Sequence, residues 1–134
     1  MGRRLLRVFV VEDSPIIRGR IIDNLTALGQ FQVVGYAESE DEAVDAIRSL
    51  RPDVIITDIR LKKGNGIEVV RHVRADDAAP RPMVFVLTNY DYPEYRVQCT
   101  AAGADAFFDK SAEYELLLAD LQQLTRPQVA SARV

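Results

Sequence analysis

Sulfur and tryptophan are nearly missing from this chain, which has no Trp, two Met and one Cys, Cys99. A lone cysteine cannot close an internal disulfide, so a scaffold stapled by disulfides is excluded. Neither sign of charge is in large excess: 17 basic and 20 acidic residues leave a formal −3 and a pI near 5.2. Without an overall basic footprint, neither nucleic acid nor an anionic membrane is favoured as a direct partner. The one dense basic cluster, Arg3, Arg4 and Arg7, reads as solvated arginines flanking a first strand. No apolar run approaches the ~20 residues that span a bilayer, and none resembles a signal peptide. A reducing cytoplasm is the expected setting.

What remains is ordinary for a folded domain. The chain's 134 residues, 48% hydrophobic and 28% charged, suit one core and lie far from the composition of disordered segments. Short runs rich in Val, Ile, Leu and Phe at residues 5–11, 33–37, 54–57, 83–87 and 104–108 predict five strands. Between and after them, residues 14–28, 40–50, 67–74, 93–102 and 112–124 carry apolar positions three and four apart, which predicts five helices. The punctuation agrees with this division. Ser14-Pro15 opens a helix, Ser39 with Glu42 predicts a capping box, Gly29 and Gly103 stand where helices stop, and Asn65-Gly66 marks a turn. Residues 1–124 are expected to form one domain and 125–134 a frayed tail.

Strict alternation of helices with strands that are hydrophobic throughout implies a parallel sheet covered on both faces. Right-handed crossovers then favour a three-layer, flavodoxin-like, doubly wound sheet of order 2-1-3-4-5. In such sheets ligands dock beyond the carboxyl ends of the strands. The residues found there are Glu12 and Asp13 after the first strand, Asp58 after the third, Thr88 at the end of the fourth, and Asp109 and Lys110 at the end of the fifth. In the stretch "VIITDIR" Asp58 comes straight after the apolar run because a buried strand carries it to that edge.

Acidic groups gathered in one cleft repel, and a cation or protonation must relieve them. Oxygen donors with room for water suit Mg²⁺, with Mn²⁺ as a substitute, whereas zinc prefers nitrogen and sulfur. The single histidine, His72, falls on the third expected helix, away from the cluster. A carboxylate beside a metal is a candidate nucleophile toward phosphorus, and Lys110 and Thr88 would supply an ammonium and a hydroxyl for the incoming oxygens. Singly, each residue has a plainer reading: a turn or cap for Asp58, caps for Glu12 and Asp13, a strand residue for Thr88, a surface lysine for Lys110. Their joint placement argues for the site.

Four segments, "VVEDS", "PDVIITDIRL", "VFVLTN" and "GADAFFDKS", together with Gly66 beyond the second, stand in an order and spacing by which residues 5–124 resemble the receiver domain of two-component response regulators. The resemblance implies that Asp58 accepts a phosphoryl group from a sensor histidine kinase, a phosphotransfer protein or a small phosphodonor. It implies Mg²⁺ held by Asp13, Asp58, waters and the backbone carbonyl of Arg60, with Glu12 acting through water. Thr88 and Phe107 would be switch residues that reshape the face of the fourth helix, fifth strand and fifth helix for a downstream protein, with a homodimer left open. No independent substrate turnover is expected. A stand-alone module is the first reading. The receiver half of a DNA-binding transcription regulator is the second, and an aspartyl-phosphate hydrolase is disfavoured because no second acid stands two positions after Asp58.

Some residues depart from the family pattern. Ser111 follows Lys110 in place of the usual proline, so a trans bond is expected there, because cis costs about 3–4 kcal/mol without proline. Lys62 replaces a loop proline, and Asn89 stands where a very small residue is common. Arg60 and Tyr90 resemble positions flanking the path of water to the acyl phosphate, and their bulk predicts slow hydrolysis. Tyr90, Tyr92 and Tyr95 read equally as core edge or interface anchors. His72 and Cys99 have no expected role.

Overall fold

The computed structural model describes residues 4–77 and 81–124, so the expected tail at 125–134 and Arg3 lie outside the described residues. The chain alternates β1 (Leu6–Val11), α1 (Pro15–Leu28), β2 (Phe31–Ala37), α2 (Glu40–Leu50), β3 (Val54–Thr57), α3 (Gly66–Ala75), β4 (Met83–Thr88), α4 (Pro93–Ala102), β5 (Ala106–Asp109) and α5 (Tyr114–Leu124). The five strands are parallel in the order β2-β1-β3-β4-β5, as the alternation predicts.

Period-two alternation divides each central strand between two cores. Val8, Val10, Val54, Ile56, Phe85 and Leu87 pack with Ile21 and Leu25 of α1 and Leu117 and Leu121 of α5. Their neighbours Phe9, Val11, Ile55, Val84 and Val86 pack with Ala43 and Ile47 of α2, Val69, Val70 and Val73 of α3 and Cys99 of α4. Because both faces are buried, residues 8–11 of β1 and 54–56 of β3 are apolar throughout, and the runs read as continuous in the sequence.

Local chemistry moves several boundaries from their expected places. β2 begins at Phe31 because that ring is buried and pairs with Leu6, although exposed Gln32 interrupts the apolar run. Further along, the register slips, with Val8 opposite Val33 but Phe9 opposite Gly35, so β2 carries a bulge. β5 starts at Ala106 instead of 104. Gly103, at φ 111°, ends α4, and both Gly103 and Ala104 donate to the Cys99 carbonyl at 3.2 and 3.0 Å. α5 starts at Tyr114 instead of 112, because the Asp109 carboxylate first captures the N–H groups of Ser111 and Ala112 at 2.8 and 3.2 Å. Those bonds, led by the Ser111 hydroxyl, hold the Asp109 carboxyl below its usual range. The expected capping box forms only in part. Ser39 makes no side-chain bond to the α2 backbone and donates instead to Glu42 Oε1 at 3.2 Å, which also accepts the Glu38 N–H at 3.4 Å.

Leu117 lies fully buried where α5 meets β4 and β5. Leu117→Ala is expected to cost about 2–5 kcal/mol. Urea denaturation measures this, as a lower midpoint at unchanged slope.

Candidate functional site

Among the described residues the buried polar side chains are Glu12, Thr57, Asp58 and Thr88, and all four lie at the carboxyl edge of the sheet. Strand pairing continues one residue past the strands and sets their positions. The Glu12 N–H donates to the Ala37 carbonyl and the Asp58 N–H to the Val11 carbonyl, both at 3.0 Å. Beyond Asp58 the chain turns tightly. Thr57 Oγ1 donates to the Asp58 carbonyl at 2.8 Å, and the Gly66 N–H donates to the Ile59 carbonyl at 2.7 Å. A Cβ on Gly66 would stand 1.8 Å from the Asp58 carbonyl oxygen, so only glycine lets α3 begin there.

Lys110 joins the two buried carboxylates. Its Nζ donates to Asp58 Oδ2 at 2.7 Å and lies 2.8 Å from Glu12 Oε1. The remaining oxygens are also engaged: Asp58 Oδ1 accepts the Ile59 N–H at 2.6 Å, and Glu12 Oε2 accepts the Ser14 N–H at 3.1 Å. Burial pushes the Glu12 carboxyl above its usual range, although the hydrogen bond and charge of Lys110 and the Ser14 N–H pull the other way. For Lys110, burial alone would lower the ammonium, but the bonds and charges of Asp58 and Glu12 outweigh it and hold the group above its usual range.

Asp13 is half-buried, and no hydrogen bond or ion pair engages its carboxylate among the described residues. The three carboxylates do not form a cage. Among the described residues no three His, Cys, Asp or Glu side chains are close enough to hold a metal ion, because Lys110 draws Glu12 and Asp58 to itself. A Mg²⁺ site does not need a cage, since that ion commonly takes one or two carboxylates and keeps its waters. Counted formally, three carboxylates and one ammonium carry −3 + 1 = −2, a charge that a divalent cation would neutralise.

Thr88 is fully buried, its Oγ1 accepting the Tyr90 N–H at 3.2 Å, and its carbonyl accepts the Lys110 N–H at 2.9 Å. Phe107 and Phe108 face opposite cores, as alternation predicts. Phe108 meets Phe85 edge-on at 6.1 Å, while half-buried Phe107 lies beneath the Arg96 guanidinium at 4.5 Å. Arg60 stacks over the Tyr90 ring at 4.7 Å. Exposed His72 lies 3.9 Å from Glu40, and Cys99 is buried with its thiol pushed up to about 11, so neither enters the site.

Three contributors have no obvious signal in the sequence. Ser14 was expected as a cap, which it is, but its backbone N–H also orients Glu12. Arg18 holds the Glu12 carbonyl at 2.9 Å while pairing with Glu38 at 3.0 Å. Arg96 bonds Asp91 at 2.6 Å and Glu113 at 3.0 Å, and so ties α4 to the loop before α5. A helical arginine whose acidic partners lie 5 and 17 positions away shows no periodic pattern.

Comparison with known proteins agrees with the geometry. A family model, the response regulator receiver domain, matches residues 8–122. A protein-glutamate methylesterase/protein-glutamine glutaminase of Bacillus licheniformis is 37% identical over 106 residues, covering 79% of this chain and 29% of that protein. The DNA-binding transcriptional activator DevR/DosR of Mycobacterium tuberculosis is 35% identical over 79% of this chain and 48% of its own length. The chain therefore spans less than half of each of these two relatives. Among solved structures, the receiver domain of the sensor histidine kinase PA1611 from Pseudomonas aeruginosa, described with a magnesium ion in its active-site cleft, superposes with a TM-score of 0.77. It is 27% identical and covers 90% of this chain and 97% of that one.

Removing the ammonium would leave Glu12 and Asp58 buried side by side. Lys110→Met is expected to cost about 3–5 kcal/mol near neutral pH. Glu12, whose folded value is raised, stabilises the fold fully below its ordinary range and loses that contribution as pH rises through the raised value. Without Lys110 that value rises further, so the deficit should narrow as pH falls through it; denaturation from pH 4 to 8 tests this, and a deficit constant with pH would contradict the electrostatic account.

Proposed function

We propose Asp58 as the phosphoacceptor of this chain, which belongs to the family of response regulator receiver domains, the phosphoacceptor modules of two-component signalling. The observation that carries the assignment is the Lys110 ammonium, 2.7 Å from a carboxylate that is only 6% exposed at the tip of β3. A buried carboxylate hydrogen-bonded to a lysine at the ligand-binding edge of a parallel sheet is suited to attack phosphorus.

In the proposed step an Asp58 carboxylate oxygen attacks phosphorus and forms the acyl phosphate bond. The bond from phosphorus to the donor breaks, its electron pair stays on the donor atom, an imidazole nitrogen for a phosphohistidine, and that atom takes a proton from solvent. Lys110 then turns from the carboxylate to the phosphoryl oxygens, and the Thr88 hydroxyl donates a second bond. Asp13, Asp58 and the Arg60 carbonyl would hold Mg²⁺, or Mn²⁺ in its place, with Glu12 reaching it through water. When bound, that ion supplies charge neutralisation at the phosphoryl oxygens.

Thr88 moving toward the phosphoryl group frees space on the side of Phe107, and the face of α4, β5 and α5 changes in the conformer that the phosphoryl group binds better. The chemistry implies a sensor histidine kinase or phosphotransfer protein as donor and a downstream protein as reader, with no turnover of a separate substrate and no nucleic acid held directly. Among the described residues no helix is long and apolar enough to cross a membrane, and a cytoplasmic setting is part of this reading. A second reading, the receiver half of a longer regulator, is supported by the short share of its relatives that the chain spans.

Incubation with Mg²⁺ and a small phosphodonor should add one phosphoryl mass to the wild type and none to Asp58→Asn. Equal labelling of both would refute the assignment. Arg60 and Tyr90, which lie together in this structure, are bulky groups that would flank the approach of water to the acyl phosphate. Replacing both by alanine should shorten the lifetime of the phosphorylated form several-fold, read as its decay by mass, and an unchanged decay rate would remove that role.

A further inference from the structure

We propose that Tyr90 is a second output lever of the site, separate from Phe107, freed when the phosphoryl group draws away the two side chains that hold it; this rests on the assignment of Asp58 as acceptor. Tyr90 is held twice. Its backbone N–H donates to Thr88 Oγ1 at 3.2 Å, and its ring lies beneath the Arg60 guanidinium at 4.7 Å. Both holders are groups that an oxyanion recruits. Thr88 ends β4 at the site, and Arg60 follows Asp58 by two residues. Among the described residues Arg60 has no anionic partner, so no competing ion pair anchors it.

The balance of forces favours release. A guanidinium on an aromatic face at an exposed position is weakly held, whereas its planar fork matches phosphoryl oxygens with charge-assisted hydrogen bonds. The Thr88 hydroxyl, in turning to donate to the phosphoryl group, gives up its place as acceptor for the Tyr90 N–H. One event therefore loosens both attachments.

Tyr90 has a route outward. Its ring meets Tyr95 edge-on at 6.5 Å, and Tyr95, in the first turn of α4, packs against Tyr92 at 5.8 Å. Tyr92 caps α4 and is 56% exposed, so the end of this aromatic chain can be read by a partner. Phe107 lies under a different cation, Arg96, on β5. The two levers share Thr88 but not their arginines.

Ring resonances of isotope-labelled tyrosine and phenylalanine in the full chain, with Mg²⁺ and with or without beryllofluoride as phosphoryl mimic, separate the two. In the wild type Tyr92, Tyr95 and Phe107 should all shift. In Arg60→Gln, which keeps the backbone carbonyl, the Phe107 shift should remain while those of Tyr92 and Tyr95 fall about twofold or more. Tyrosine shifts as large in Arg60→Gln as in the wild type, or a wild type in which Phe107 moves alone, would overturn the lever and leave Asp58 as acceptor. A wild type in which no ring moves would remove both.

Discussion

Two carboxylates taken out of water and joined by one ammonium are the constraint around which this molecule is arranged. Glu12 and Asp58 are 2% and 6% exposed, and only Lys110, reaching from the end of β5, makes that burial tolerable. The charge must come from β5 while the acids come from β1 and β3, so the site closes only when β4 bridges β3 and β5 in the sheet. The three charges are separated by 46 and 52 residues along the chain (58 − 12 and 110 − 58), yet meet at one edge of the sheet. Folding and site assembly are therefore one event.

The apolar layers serve that placement. Each strand buries alternate residues against α1 and α5 or against α2, α3 and α4, and this fixes its register, because a slip by one residue would exchange the two cores. With register fixed, the residue after each strand arrives at the edge with little freedom. The Asp58 N–H on the Val11 carbonyl and the Lys110 N–H on the Thr88 carbonyl extend that precision past the strands themselves. Gly66, with the Asp58 carbonyl where its Cβ would be, shows how closely the loop is drawn over Asp58.

Most of this was legible in the sequence, for reasons that also explain what was not. Strands buried on both faces write themselves as unbroken apolar runs, so β1, β3 and β4 and the residues after them stand out. β2, an edge strand, buries Phe31 but exposes Gln32 and carries a bulge, so its start was hidden. β5 and α5 began later than expected because Gly103 and Asp109 spend several residues on capping bonds that composition does not reveal. Glu12, Asp13, Asp58, Thr88 and Lys110 were nameable together because each follows or ends a strand. The bonding of Lys110 to both Glu12 and Asp58 was not. It depends on the length of a flexible side chain, which leaves no periodic trace.

That arrangement also suits a site whose charge must change. An acyl phosphate on Asp58, as proposed, would replace its single charge with about two on the phosphoryl oxygens, displaced outward from the carboxylate. The cation that balances the carboxylate would have to move with the charge. A lysine can do so, because its ammonium is a point charge on a four-carbon stem, whereas an arginine fork fitted to two fixed carboxylates would resist leaving them. Once Lys110 turns outward, Glu12 loses its closest partner, and the added negative charge attracts whatever donors are within reach. Among the described residues the buried Thr88 hydroxyl is bound to a backbone N–H and Arg60 is held by an aromatic face, so these are the groups most easily drawn in. The weakness of their present attachments is therefore what lets a local change of charge become a change of shape.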